Sequence, residues 1–380
     1  MTETATDAQS VPAGYDGPRA CAWHELASAV DLANLVLRVL GAPPGAPPRW
    51  PTIGGDYGHI YHGDNLPNVR VITHRGRVVS SVGIYPTDVR TPRGTISVGG
   101  INAFVTHPDH RRQGLGGAVL RDAHAQMRAS GLHAGLLSTR IQDYYRKFGW
   151  ESAGRQHTWV FDRGNVALLP EPAGLTVTED WRSHLPELVA LHNSDDLGAQ
   201  RSESTFRLLA ERKLGRLFVA RRAGRPVAYA GVSGTAVREY GGDPRAVAAL
   251  IRAVFHRLDD PATSTSERPT GQRATIELTV TTPVLRTGLP ALLAQAGIPH
   301  TLGYLGMLAI LDAPGLFAAL RLDDVALTPS DDGWLVRHDG NTLDLTPQQL
   351  VKLVFGPERF PDFAPDLFPI DFFQWSLDRV

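Results

Sequence analysis

A glycine-rich turn between an apolar strand and an amphipathic helix constrains this chain more than any other feature. The turn, residues 111–117, reads Arg-Arg-Gln-Gly-Leu-Gly-Gly and follows an apolar segment at residues 101–105. After it, apolar residues recur at every fourth position until Gly131: Leu115, Val119, Ala123 and Met127. The pattern predicts a strand, a turn and a helix, with the glycines at the helix N-terminus.

A helix N-terminus of this kind can hold a phosphate group. Its first backbone N–H groups have no partner within the helix, the helix dipole is positive there, and glycines let an anion approach the main chain. We therefore predict that this turn holds a diphosphate. An ordinary strand-to-helix turn is the alternative, because a short glycine motif also occurs by chance.

Length and composition favour a soluble protein of several domains. A chain of 380 residues exceeds one compact core, so we expect two or three domains. The net charge of −1 gives no reason to expect a nucleic acid or an anionic membrane as partner. The single cysteine excludes an intrachain disulfide, and the N-terminus lacks the features of a signal peptide. Because no apolar segment has the length of a membrane span, we expect a cytoplasmic protein.

The order of predicted elements repeats along the chain. A hairpin with a Gly-Arg turn occurs at residues 69–84 and again at 217–232, and each is followed by a helix. We expect a disordered tail at 1–18, a catalytic domain at 19–163, a second copy at 175–303, and a small α/β unit with an aromatic end at 304–380. The helix of the second copy opens with Asp243 and Pro244, so it should not bind a diphosphate: the carboxylate repels phosphate and proline lacks an N–H.

Two motifs resemble those of the GNAT superfamily of N-acyltransferases. Residues 111–116 match its acyl-CoA signature, Arg/Gln-x-x-Gly-x-Gly/Ala, and residues 145–150 resemble its Tyr-x-x-x-Gly-Phe element. The whole chain resembles the Eis-like (enhanced intracellular survival) acetyltransferases. This resemblance implies an α/β (α+β) architecture of tandem GNAT folds with mixed central sheets and a sterol-carrier-like C-terminal unit. It also implies a homo-oligomer, a hexamer in that family.

The resemblance further implies which residues form the site. Acetyl-CoA would be held by the strand residues Phe104, Val105 and Thr106, by the loop residues Arg112, Gln113, Gly114, Leu115, Gly116 and Gly117, and by Arg140 and Ile141. Tyr145 would be the general acid, and the terminal carboxylate of Val380 the general base.

The chemistry of acetyl transfer agrees with these roles. The amine must lose a proton, the oxyanion must be stabilised, and the leaving thiolate must gain a proton. A phenol suits the thiolate, and the spacing to Gly149 favours Tyr145 over its neighbour Tyr144. Alternative bases, each expected to be a surface charge, are Asp56, Asp64, Asp371 and Asp378. His107 and His110 lie three apart, but no further ligand is evident, so we expect no metal.

The sequence therefore predicts an acetyl-CoA-dependent N-acetyltransferase that works by direct attack in a ternary complex. Its expected substrate is a small cationic amine of the aminoglycoside type. A protein lysine or a small metabolic amine is the alternative acceptor. A non-catalytic acyl-CoA-binding or sensor protein is the alternative of another class, and neither a nucleic acid nor a membrane is expected as partner.

Overall fold

The computed structural model describes residues 11–42, 52–260, 276–358 and 363–379. Its strands are β1 (Tyr15–Ala20), β2 (Val69–His74), β3 (Arg77–Thr91), β4 (Gly94–Thr106), β5 (Ala134–Leu137), β6 (Glu151–Phe161), β7 (Thr176–Thr178), β8 (Gly198–Ala199), β9 (Arg216–Arg222), β10 (Arg225–Ser233), β11 (Ala236–Gly242), β12 (Leu278–Pro283), β13 (His300–Ile310), β14 (Ala326–Pro329), β15 (Trp334–His338) and β16 (Asn341–Leu345). Its α-helices are α1 (Leu26–Asn34), α2 (Ile53–Asp56), α3 (Leu115–Ala129), α4 (Gln142–Arg146), α5 (Leu185–Asn193), α6 (Glu203–Lys213), α7 (Pro244–Asp259), α8 (Gly288–Gln295), α9 (Ala313–Ala319) and α10 (Pro347–Phe355).

One mixed sheet of thirteen strands runs through the molecule. Its order is β1-β2-β3-β4-β5-β13-β6-β12-β11-β10-β9-β7, and β8 pairs with β3. Two neighbouring pairs are parallel, β4 with β5 and β11 with β12, and the helices α3 and α7 connect them. Read outward from the centre, the two halves carry equivalent elements, as a second copy of the fold would.

The two halves exchange their last strands at the centre of the sheet. Strand β6 ends the first half but pairs with β12 of the second, and β13 ends the second half but pairs with β5 of the first. The two exchanged strands also pair with each other. The boundary predicted at residues 303/304 therefore falls inside β13, because the strand pattern of the sequence does not reveal its partner. The division into domains stays a prediction.

The structure of the N-terminal end corrects the predicted extent of the disordered tail. Residues 15–18, assigned above to a disordered tail, belong to β1, which pairs with β2. Residues 1–10 lie outside the described part of the chain. The expectation missed this strand because Gly14, Gly17 and Pro18 read as a flexible sequence.

The C-terminal unit has its own small sheet, β14-β15-β16, with α9 and α10 beside it. As the Thr-Pro-Gln-Gln sequence predicts, a capping box opens α10: Thr346 Oγ1 accepts from the N–H of Gln349, and Gln349 Oε1 accepts from the N–H of Thr346. The aromatic tail packs on the body, and Phe368, Phe372 and Trp375 are buried.

The first half is built as two layers of side chains on either face of its sheet. The predicted apolar stripe of α3 is buried and packs with Ile84 and Ile101 on one face. Helix α1 packs with Val69, Val71 and Val105 on the other face. Among the described residues, no helix combines the length and apolar character needed to cross a membrane.

Candidate active site

The first feature of the site is a gap between β4 and β5. The two strands pair only from Val98–Ala134 to Gly100–Leu136. Strand β5 then ends at Leu137, whereas β4 continues to Thr106. The last residues of β4 therefore have no strand partner on that side, and their backbone groups are available to a ligand chain that enters the gap.

A β-bulge lies in β4 at the level of the gap. Ala103 has a φ of 44°, and the pairing register with β3 shifts between Ser81 and Gly83. Because of the extra residue, Ile101 and Phe104 face the α3 layer while Val105 faces the α1 layer. The bulge thus turns Phe104 towards the glycine loop.

The glycine loop leaves the start of α3 open. Arg112 and Gly114 have φ values of 60° and 78°, the left-handed conformation that points successive N–H groups to one side. Gly114 is the N-cap residue, and no side chain caps the helix. The start of α3 therefore has the geometry that the predicted anion site requires: a helix N-terminus whose first N–H groups are not capped by a side chain.

Gly116 leaves little room for a side chain. A Cβ at this position would lie 3.0 Å from the Tyr144 hydroxyl oxygen and 3.4 Å from Phe104 Cζ. A larger residue would therefore fill the space between the start of α3 and the aromatic rings. This contact also places Tyr144 at the loop, which the sequence did not predict.

Tyr145 lies on α4 beside these rings. Its ring centroid is 5.8 Å from that of Phe104 and 5.5 Å from that of Tyr144. The residue is only 6% exposed, and among the described residues its hydroxyl has no hydrogen-bond partner. Burial, and then the neighbouring Tyr144, raise the pKa of Tyr145. The phenol consequently stays protonated at neutral pH, as a proton or hydrogen-bond donor must.

Strand β1 braces the loop from the side. The Tyr15 hydroxyl donates to Gln113 Oε1 at 2.8 Å and lies 2.8 Å from His110 Nδ1. His107 and His110 pack edge to face, with ring centroids 5.6 Å apart. Sequence reasoning missed this brace because it assigned the start of β1 to the tail.

The remaining predicted residues are placed as follows. Thr106 is half-buried and its hydroxyl lies 2.9 Å from that of Ser80, and Leu115 is buried in the α3 core. Arg140 and Ile141 are exposed in the segment between β5 and α4. Val380, the predicted base, lies outside the described residues.

The last described residues of the tail lie near the end of β5. The Arg379 guanidinium donates to the carbonyl of Leu305 at 3.1 Å and to Gln156 Oε1 at 2.8 Å. Leu305 lies two residues from Met307, the partner of the last residue of β5. The side chain of Arg379 is therefore held near the point where β5 stops.

Three of the four alternative bases are engaged in ion pairs. Asp56 pairs with Arg38, and Asp371 pairs with Arg155 at 2.7 Å. Asp378 pairs with Arg201 at 2.7 Å and is buried, so the expectation that it is a surface charge was wrong. It was wrong because its partner lies far away in the sequence. Asp64 is fully exposed, as expected.

The α1 face of the gap carries a second group of polar side chains. His59 packs edge to face on Tyr85, with centroids 4.8 Å apart, and both of its ring nitrogens are buried without a hydrogen bond among the described residues. Burial lowers the pKa of His59 to about 4, so its imidazole is neutral. Lys213 donates to the carbonyls of Leu377 and Arg379, and burial lowers its pKa to about 8.

The equivalent helix start in the second half is closed. Asp243 Oδ1 accepts from the N–H of Ala246 at 2.8 Å, and Pro244 follows as the first helical residue. The Asp243 side chain thus accepts from one of the first N–H groups of α7, and Pro244 has no N–H to offer, whereas no side chain caps the start of α3. This geometry agrees with the prediction that the second copy does not bind a diphosphate.

A family model supports the chemistry of the first half. Residues 60–153 match the model described as Acetyltransferase (GNAT) domain. This range contains β4, the glycine loop, α3 and Tyr145. No curated protein matches the chain at a significant level.

Solved structures show the same fold over most of the chain. A GCN5-related N-acetyltransferase from Kribbella flavida is 18% identical with a TM-score of 0.56, covering 85% of this chain and 82% of its own. One from Anabaena variabilis is 15% identical with a TM-score of 0.58, covering 86% and 84%. Eis1 from Mycobacterium abscessus is 14% identical with a TM-score of 0.54, covering 87% and 85%. At these identities the likeness establishes the fold alone.

Proposed function

We propose, from the match of residues 60–153 to the GNAT acetyltransferase model, that the chain transfers the acetyl group of acetyl-CoA to a primary amine of a cationic, aminoglycoside-like substrate. The amine attacks the thioester directly, with both substrates bound. The observation that carries the proposal is the alignment of three features: the open start of α3, the unpaired end of β4 and the buried hydroxyl of Tyr145.

The glycine loop orients the donor. Backbone N–H groups at residues 114–117 hold the diphosphate, and the space beside Gly116 admits the chain that leads to the thioester. Phe104, Val105 and Thr106 bind that chain along the gap, and Arg140 and Ile141 border it on the β5 side. Tight positioning matters because it removes most of the entropy cost of bringing the two substrates together.

Tyr145 acts on the leaving group. When the amine nitrogen bonds to the acetyl carbon, the carbon–sulfur bond breaks and the electron pair stays on sulfur. Since burial keeps Tyr145 protonated, its hydroxyl donates to this thiolate, and the sulfur leaves as the thiol.

The amine proton goes to a carboxylate at the chain end. Of the four side-chain candidates, three are held in ion pairs and Asp64 is fully exposed to solvent, so we propose the α-carboxylate of Val380 as the base. The anchoring of Arg379 near the end of β5 supports this assignment. We also propose a homo-oligomer, which light scattering on the purified protein would test.

Thiol release from acetyl-CoA tests the proposal. Wild-type protein is assayed against an aminoglycoside, a linear polyamine, a lysine peptide and a small metabolic amine. Tyr145→Phe should lower kcat by roughly 100-fold with little change in the KM for acetyl-CoA, because only the developing thiolate loses a partner. Tyr144→Phe is the matched control and should cost far less.

The outcomes separate the alternatives. Release with the lysine peptide but not the aminoglycoside would reassign the acceptor. Coenzyme A binding without release for any amine would favour an acyl-CoA sensor and contradict the proposal.

A further inference from the structure

The second half has a cavity at the place that corresponds to the acetyl-transfer gap. It has a volume of about 170 Å³ and lies between the end of β11, the end of β12, the first turn of α7 and the start of α8. Cavities of roughly 150 Å³ admit a molecule of the size of benzene. The cavity is therefore large enough for a small organic ligand.

Aromatic side chains form much of its wall. Tyr240 belongs to β11, and the C-terminal tail supplies Phe373 and Trp375. The rings of Tyr240 and Trp375 pack edge to face with centroids 4.7 Å apart, and those of Phe373 and Trp375 with centroids 4.9 Å apart. Faces of aromatic rings carry negative electrostatic potential and attract organic cations.

One carboxylate at the cavity has no direct ion pair. Asp195 is half-buried, and among the described residues it has neither a hydrogen bond nor an ion pair on its side chain. The charge of Arg90 acts on Asp195 only from a distance, because the Arg90 guanidinium donates to the carbonyls of His192 and Asn193 and not to this carboxylate. Burial raises the pKa of Asp195 to about 6, which a bound cation would reverse.

Anions are disfavoured at the same place. The start of α7 is capped by Asp243, and Asp196 adds a second carboxylate to the cavity wall. The features that would hold a diphosphate in the first half are thus replaced by negative charge.

We propose that this cavity is a second binding site, for a small organic cation with an apolar body, and that Asp195 is its counter-ion. The site is separate from the acetyl-transfer gap, since no residue of the glycine loop or of α4 lines it. The proposal does not depend on the acceptor of the acetyl group.

Calorimetry on the full chain with three matched probes tests the charge preference. Benzylammonium should bind at least tenfold more tightly than benzyl alcohol, and benzoate should not bind. Saturating coenzyme A should leave the affinity for benzylammonium unchanged. Equal binding of the alcohol, or binding of benzoate, would overturn the proposal.

Two variants locate the site. Asp195→Asn should weaken benzylammonium binding about tenfold while leaving kcat and KM for acetyl transfer unchanged, whereas Asp196→Asn should change the affinity less than threefold. An increase in the amine KM of Asp195→Asn would instead make the cavity part of the acceptor site and overturn its independence. Leu285→Trp fills the cavity from its half-buried wall and should abolish binding, which keeps the test decisive if Asp195→Asn does not fold.

Discussion

Helix α3 follows β4 in the first half, and helix α7 follows β11 at the equivalent place in the second half. The two helix N-termini differ in how their first backbone N–H groups are satisfied. At α3 the cap is Gly114, and the first N–H groups are open. At α7 the carboxylate of Asp243 fills that role, and Pro244 removes a donor. One half leaves polar groups unpaired for a ligand, and the other pairs them internally.

The same contrast extends to buried charge. In the second half, Arg201 is enclosed with two carboxylates, Glu239 at 2.6 Å and Asp378 at 2.7 Å. The Tyr229 hydroxyl also donates to Glu239, at 2.8 Å. Because Asp378 belongs to the tail, the half whose helix start is closed anchors the chain end that the other half is proposed to use.

The largest effect is expected from breaking that anchor. Arg201→Met leaves Glu239 and Asp378 buried without a counter-ion and should lower the free energy of unfolding by about 3–5 kcal/mol. Urea denaturation measures it. Arg216→Met removes a partly exposed pair with Glu179 and should cost less than about 1 kcal/mol. Equal losses in the two variants would show that the buried network stabilises the fold no more than a partly exposed ion pair does.

A matched pair of charges tests the two helix starts directly. Gly116→Asp and Arg245→Asp each place a carboxylate at the second residue of α3 or α7. The first should weaken acetyl-CoA binding roughly 100-fold, about 2.7 kcal/mol, because like charges meet at the loop. The second should leave binding unchanged. Calorimetry with coenzyme A distinguishes them, and unimpaired binding by Gly116→Asp would refute the phosphate site.

Low pH should weaken the buried network of Arg201, Glu239 and Asp378 in the second half. Burial opposes ionisation of Glu239, but the charge of Arg201 outweighs it and lowers the pKa of Glu239 to about 2. Since the folded-state pKa is depressed below the ordinary value of 4.5, the stabilisation is full above pH 4.5 and is lost as pH falls towards 2. The free energy of unfolding, measured between pH 6 and pH 3, should fall less steeply for Glu239→Gln than for wild type.

The smallest effect concerns the closed helix start. Asp243→Ala removes the cap of α7 and should lower the free energy of unfolding by about 1 kcal/mol, with no change in the KM for acetyl-CoA. Ser202→Ala, which removes the comparable cap of α6, is the control and should cost a similar amount. A gain in coenzyme A binding by Asp243→Ala would mean that the cap alone suppresses a second phosphate site.

Features of the fold that depend on residues close together in the sequence were predictable, and features that depend on contacts between remote segments were not. The buried face of α3, the repeated hairpins and the capping box of α10 follow from spacing within a few residues of each other. The exchange of β6 and β13 does not, because strand patterns reveal an apolar face and not a partner. For the same reason the predicted boundary at residues 303/304 divides β13 and places its second part in the C-terminal unit.

The residues of the candidate site fall into the same two groups. The glycine loop and Tyr145 are contiguous motifs, so the sequence was sufficient to find them. The bulge at Ala103 was not foreseeable, since alanine gives no sign of a positive φ. The contacts of Tyr15, His59 and Lys213 join segments far apart in the chain. The sterol-carrier likeness of the C-terminal unit stays a prediction.

The exchanged central strands also bear on how this protein is made. During synthesis, the edge of β5 emerges long before residues 300–310, the segment that pairs with it. Until then the half that carries the glycine loop exposes an open strand edge, which invites pairing with other chains. A shortened gene product ending before β13 would therefore be expected to aggregate rather than yield a minimal enzyme.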